Sequence, residues 1–252
     1  MDSKPSYPLT PEIKIDWDEF PNASLSDALY VSLRRAIVTG KIFPGAPLKE
    51  MEVSRQAKVS RTPVREAFRK LESESLLLRM PGRKFVVASP NRGEIEEIFL
   101  VRSVLEGLAG RIASSKMGSD HLGALKKIVK NMEKGIRENQ FALVVESNLE
   151  FHKLIVRICD NHVLAQTLNR LWDTIRMLST ASLGNKFWIG NAVKEHKRII
   201  NAFERKDGSF VEKLIRDHVI HAGKIFISAE SKPGEKGGGI MPPPKQLDRQ
   251  LY

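Results

Sequence analysis

Cysteine is almost missing from this chain: Cys159 is the single one in 252 residues. An internal disulfide is thereby excluded, and a reducing compartment is expected. Long apolar runs are missing too. No stretch of about 18 apolar residues occurs, so no membrane-spanning helix is expected. The opening MDSKPSYPLTPEIKIDWDEF lacks the apolar centre of an export signal. A cytoplasmic protein without membrane contact follows as the expectation. Signatures of metal-dependent hydrolysis are scarce as well: the sequence has no His-Glu-x-x-His and no Glu-x-x-His. Glu195 is adjacent to His196, so on a helix it points elsewhere. A non-enzymatic role is expected, with a metal-dependent enzyme as the alternative from a different class.

Positive charge is abundant, and it is unevenly spread. The net charge is +11, with −3 over residues 1–23, +7 over 24–90, +6 over 91–229 and +1 over 230–252. The densest basic block is therefore a short N-terminal segment, as in polyanion-binding modules. Residues 1–22, acidic and proline-rich, read as a mobile arm. A helix follows, capped by Ser24 or Ser26, with Leu29, Leu33, Ala36 and Ile37 as its stripe and Gly40 as its stop. FPGAPL reads as a turn, KEMEVSRQAK as a short helix, and Arg61 to about Ser73 as another. LLLRMPGRKFVVAS then reads as two strands around a Pro-Gly turn. From residue 91 to 229 the pattern is helical: 91–115, 119–138, 140–160, 162–182, 190–206 and 208–228, an antiparallel bundle. The tail 230–252 is too polar and glycine-rich to form a core. The expected fold is mostly α: an arm (1–22), a winged helix-turn-helix (23–90), a helical bundle (91–229) and a disordered tail.

The helix beginning at Arg61 raises a question of charge. At about 100° per residue, Arg61, Arg65 and Arg69 advance by only some 40° each and form one ridge. Val64, Ala67, Phe68 and Leu71 form the opposite, apolar face. Pro63 lies in the first turn, where its missing N–H costs least. In a helix-turn-helix such a second helix enters the DNA major groove, with its first residues at base edges. Arg61 and Arg65 are then placed to donate paired hydrogen bonds to guanine. Ser60 and Thr62 are placed for phosphate or base contacts, and Arg69 continues the ridge. Arg83 and Lys84, at the hairpin tip, are placed for phosphate or the minor groove. The competing reading is a solvated face whose arginines pair with Glu66 and Glu72.

The pieces LRRAIVTGKIFPGAPL, VSRTPVREAFRKLE and the following hairpin resemble the winged helix-turn-helix of the GntR family of bacterial transcription regulators. The resemblance covers residues 25–89 and implies a homodimer bound to a double-stranded DNA operator. Three positions depart from the family pattern: Lys58, Ser75 and Lys84 stand where glycine is usual.

Histidines lie on the apolar faces of three bundle helices. One stripe is Val145, Asn148, His152, Ile155 and Cys159; a second is Val193, His196, Ile200 and Phe203; a third is Val211, Leu214, His218, Ala222 and Ile225. Each histidine alone reads as a hydrogen-bonded core residue. Three together, with Asn148 one turn from His152, also fit a shared site of the kind imidazoles offer Zn²⁺ or Ni²⁺. The region 93–228 resembles the FCD effector domain found behind GntR-type winged helices. That resemblance implies a divalent metal held by an Asp and three His, matching Asn148, His152, His196 and His218, with Asn148 replacing the Asp. It also implies a small organic acid as effector. Arg102 points inward in its helix, and two readings stand: an internal pair with Glu106, or a fork for a ligand carboxylate. His121, His162 and His221 are assigned outer positions. The function expected is a ligand-responsive regulator, most simply a repressor; the alternative is a DNA-binding dimer whose bundle only dimerises.

Overall fold

The computed structural model describes residue 13 and residues 15–82, 84–181 and 186–230. They divide between Ser89 and Pro90 into two compact units.

In the first unit, Ser24 accepts the Asp27 N–H and starts α1 (Leu25–Val38). Gly40 ends it at a φ of +70°, which glycine adopts without steric cost. Strand β1 (Pro47–Leu48) precedes α2 (Glu50–Ala57) and α3 (Arg61–Ser73), followed by β2 (Leu77–Met80) and β3 (Lys84–Val87). The sheet order is β1-β3-β2, all antiparallel, with Leu77 opposite Val87 and Met80 opposite Lys84. The sequence pattern gave only a turn at FPGAPL. The extra strand forms because Gly45 N–H donates to Val87 O and Val87 N–H to Ala46 O, each at 2.9 Å. A two-residue strand has too few side chains to show an alternation. Leu29, Leu33, Ile37, Val53, Val64, Phe68, Leu71 and Leu77 fill the core. Phe68 meets Phe85 edge-on at 5.1 Å, which locks α3 to the wing.

The mobile arm expected over 1–22 does not extend to residue 22. Ile13 is buried and its N–H donates to Gln56 Oε1, while a 3₁₀ turn at Trp17–Glu19 brings Glu19 to Arg35. One apolar side chain and one ion pair suffice to hold this stretch down. Residues 1–12 and 14, and the tail beyond Glu230, lie outside the described residues.

The second unit consists of α4 (Arg92–Lys116), α5 (Ser119–Arg137), α6 (Phe141–Cys159), α7 (His162–Ala181), α8 (Lys186–Glu204) and α9 (Gly208–Glu230). Its boundaries follow the sequence expectation within a few residues; α8 starts earlier, at 186 rather than 190. Asn91 and Glu94 form a reciprocal cap on α4. Helices α4 and α9 pack closest together. A methyl added at Gly107 would meet Arg216 Cγ at 2.5 Å, and one at Gly110 would meet Ile215 Cδ1 at 2.3 Å. No described helix is long and apolar enough to cross a membrane.

Candidate nucleic-acid interface and candidate metal centre

The apolar face of α3 is buried through Val64, Ala67, Phe68 and Leu71, and this fixes the direction of the opposite ridge. Ser60, Arg61, Thr62, Arg65 and Arg69 are all exposed. Ser60 occupies the N-cap position, but its side chain makes no capping bond, so its hydroxyl is uncommitted. The solvated-face reading required Glu66 and Glu72 to neutralise the ridge. Glu72 instead pairs with Arg79 at 3.2 Å. Arg65 has one carboxylate, Glu50 of α2, at 3.3 Å. Arg61 and Arg69 have no carboxylate partner among the described residues. Lys84 is exposed at the start of β3, and Arg83 lies outside the described residues.

Lys58 and Ser75, the two turn positions where glycine was missed, have φ of +55° and +60°. The glycine geometry is thus kept without the glycine. Val59 N–H donates to Ser54 O, and Ser54 Oγ donates to Val59 O at 2.6 Å, which holds the tight link between α2 and α3. The cost is local strain in both residues.

In the bundle, His152 of α6, His196 of α8 and His218 of α9 are all buried and turn their rings to one point. His196 Nε2 lies 3.1 Å from His218 Nε2, which lies 3.3 Å from His152 Nε2. Each ring's other nitrogen has its own acceptor. His152 Nδ1 is 2.7 Å from Glu106 Oε2, His218 Nδ1 is 2.6 Å from Glu195 Oε2, and His196 Nδ1 is 3.3 Å from Met132 Sδ. Carboxylate and thioether atoms carry no proton to give, so each Nδ1 must hold one. The three Nε2 atoms then present lone pairs to each other.

The charges around this point are neutralised within the bundle. Arg102 Nε and Trp172 Nε1 each donate to Glu106 Oε1 at 2.8 Å. Burial raises the Glu106 carboxyl, but Arg102 and then His152 outweigh it and hold it well below the usual carboxylate range. Burial also raises Glu195, and its hydrogen bonds to His218 and His221 overcome this to leave it lowered. Burial, reinforced by the neighbouring rings, pushes His196 well below the ordinary imidazole range. His218 is pushed down by burial too, with Glu195 opposing. All six helices contribute: Arg102 and Glu106, Met132, His152, Trp172, His196 and Glu195, and His218.

Sequence reasoning brought the three histidines together but missed their supports. Glu195 does point away from His196; it reaches His218 from behind and bridges to the half-exposed His221 at 2.7 Å. Met132 carried no signal, since a methionine on an apolar stripe reads as core filling. Of the two readings of Arg102, the internal pair is the one present: the side chain is 7% exposed and its Nε is engaged by Glu106. Asn148, one turn before His152, has its Oδ1 buried without a hydrogen-bond partner. His121 accepts from the Gly118 N–H at the start of α5, away from the centre.

The donor set fits a divalent cation. Metal–nitrogen bonds of about 2.0–2.1 Å at tetrahedral to octahedral angles set ligand nitrogens roughly 3 Å apart. The observed 3.1 and 3.3 Å agree with that. Imidazoles whose outer N–H is held by a carboxylate are the usual supported form of metal-binding histidine. The orphaned Asn148 oxygen is a further neutral donor.

Comparison with known proteins decides the family. The description "Bacterial regulatory proteins, gntR family" matches residues 25–87, and "FCD domain" matches residues 97–221. A D-xylose utilization operon transcriptional repressor of Paenarthrobacter nicotinovorans, described as probable, is 30% identical over 202 residues, 79% of this chain and 86% of that one. The chain belongs to the GntR family. Its C-terminal part is an FCD domain. The Escherichia coli HTH-type transcriptional repressor RspR is 29% identical over 199 residues, 79% of this chain and 87% of that protein. The solved structure of E. coli McbR/YncC matches the fold at a TM-score of 0.70 with 20% identity, covering 82% of this chain and 98% of that one. As a GntR protein the chain is a transcriptional regulator, and regulators of this family bind DNA operators.

Proposed function

We propose that this GntR regulator is a cytoplasmic homodimeric repressor released from its operator by a small organic acid bound in the FCD domain. Two relatives are named repressors. Arg61 and Arg65 read guanine edges, Ser60 and Thr62 contact bases or phosphate, and Arg69, Arg83 and Lys84 contact the backbone. Pairing through two-fold symmetry supplies the second half-site that one short helix lacks.

Asn148, His152, His196 and His218 hold a divalent cation, Zn²⁺ or Ni²⁺ being suited to three imidazoles. The observation that carries this reading is the set of three Nε2 lone pairs converging while every Nδ1 is committed elsewhere. A bound ion supplies a positive centre that attracts a carboxylate. Arg102 balances Glu106, so a divalent ion beside Glu195 leaves the centre one positive charge in excess, which an anionic effector offsets. Arg102 serves the effector indirectly, by keeping Glu106 ionised and His152 in position. The effector must favour one arrangement of the dimer over the other.

The test is operator binding by fluorescence anisotropy, with metal-loaded protein, against a panel of small organic acids. An acid that weakens binding, and does so only with metal present, is expected. Tighter binding with effector would reverse the sign, and no response to any acid would leave a bundle that only dimerises.

A further inference from the structure

We propose that the outward face of α4 is the surface by which two copies of this chain pair, in a two-fold register centred on Val104. This rests on the homodimer reading above and adds where the dimer forms. The inward face of α4 is used by the bundle through Ile95, Phe99, Arg102, Ser103, Glu106 and Gly110. The opposite face should be polar in a monomer, and it is not. Leu100, Val101 and Val104 are 57%, 46% and 44% exposed, the densest group of exposed large hydrophobics among the described residues. Half-buried Leu108 extends the group by one turn. At about 100° per residue, these four side chains lie within an arc of roughly 100° around Val104, the width of a helix face made for packing. Contiguous exposed apolar surface of this kind marks an interaction site.

The stripe reads the same from either end in chemical character, which identifies the occupant. Leu100 and Leu108 lie equally far from Val104 on either side. So do Glu97 and Arg111, and so do Gly93 and Ser115. Two α4 helices crossing antiparallel about a two-fold axis bring each residue against its equidistant counterpart. Val104 then meets the second Val104, leucine meets leucine, acid meets base, and small meets small at the ends. Isologous interfaces demand such self-complementarity; an unrelated partner does not. The charges are available: Glu97 is exposed without an ion-pair partner among the described residues, and the Arg111 side chain is 56% exposed despite its 3.3 Å contact with Glu212. A two-fold axis here also matches the symmetry of a paired operator.

The test is the mass of the full chain by analytical ultracentrifugation over a dilution series. Val104→Asp is expected to raise the dimer dissociation constant at least about tenfold, by placing like charges face to face. Glu97→Arg and Arg111→Glu are each expected to weaken pairing, and the double swap to restore it. That restoration guards against a variant that merely fails to fold. A wild-type dimer unmoved by Val104→Asp, with no restoration in the double swap, overturns the α4 surface and leaves the regulator reading standing. A wild-type chain that stays monomeric, its own N-terminal unit covering α4 or nothing covering it, overturns both the surface and the homodimer reading.

Discussion

The two units treat charge in opposite ways. On the N-terminal unit, Arg61 and Arg69 stand exposed without a carboxylate, and Arg65 has only Glu50. In the bundle, Arg102 is almost fully enclosed and neutralised by Glu106, which also holds His152. Surface arginines cost little to leave unpaired, because water solvates them; enclosed ones must be paired. The first arrangement therefore leaves cations free for an outside polyanion. The second commits every charge to positioning three uncharged donors.

Breaking the enclosed pair should have the largest effect. Glu106→Gln leaves Arg102 buried without its counter-charge, which costs about 3–5 kcal/mol. Denaturant unfolding followed by helical signal should show that loss, and metal affinity should fall with it. A variant as stable as wild type would mean that Arg102 finds another partner and that the contrast between the units is weaker than described.

The exposed ridge should behave differently. Arg65→Ala should cost roughly 1–3 kcal/mol of operator affinity, about 5–150-fold, with no loss of stability or bound metal. Affinity equal to wild type in a mobility-shift titration would remove the ridge from the interface.

Acid sharpens the comparison further. Burial holds His196 and His218 below their unfolded value, so the unfolded chain takes up protons first as pH falls. Their contribution is complete above about pH 6.5 and is lost progressively below it, each group costing up to about 1.4 kcal/mol by pH 5.5. Metal-free protein should thus show a lower Tm at pH 5.5 than at pH 7.5 in calorimetry; an equal or higher Tm would contradict the buried neutral state.

The smallest effect belongs to the turns. Lys58→Gly or Ser75→Gly should stabilise the N-terminal unit by up to about 1 kcal/mol, since both residues occupy left-handed backbone. Unchanged or lower stability in denaturant unfolding would show that the side chains repay the strain.

These contrasts bear on what a sequence discloses. The α3 ridge was legible because helical periodicity alone fixes which residues share a face. The six bundle helices were legible for the same reason, and the three histidines followed from their places on apolar stripes. The supports were not. Glu106 and Glu195 reach the rings from other helices, and Glu195 had been set aside because it neighbours His196; contacts across helices leave no periodic trace. Strand β1 was invisible because two residues cannot alternate. Arg102 was legible as inward-facing, but only the geometry showed that its partner is internal.

The central claim is that the three converging imidazoles form a cation site, and isothermal titration of Zn²⁺ into chelator-stripped protein tests it most directly. The account predicts one ion per chain, with binding lost in His218→Ala while that variant keeps its helical content. Wild-type protein that takes up no ion, or a His218→Ala variant that binds as well as wild type, would contradict it.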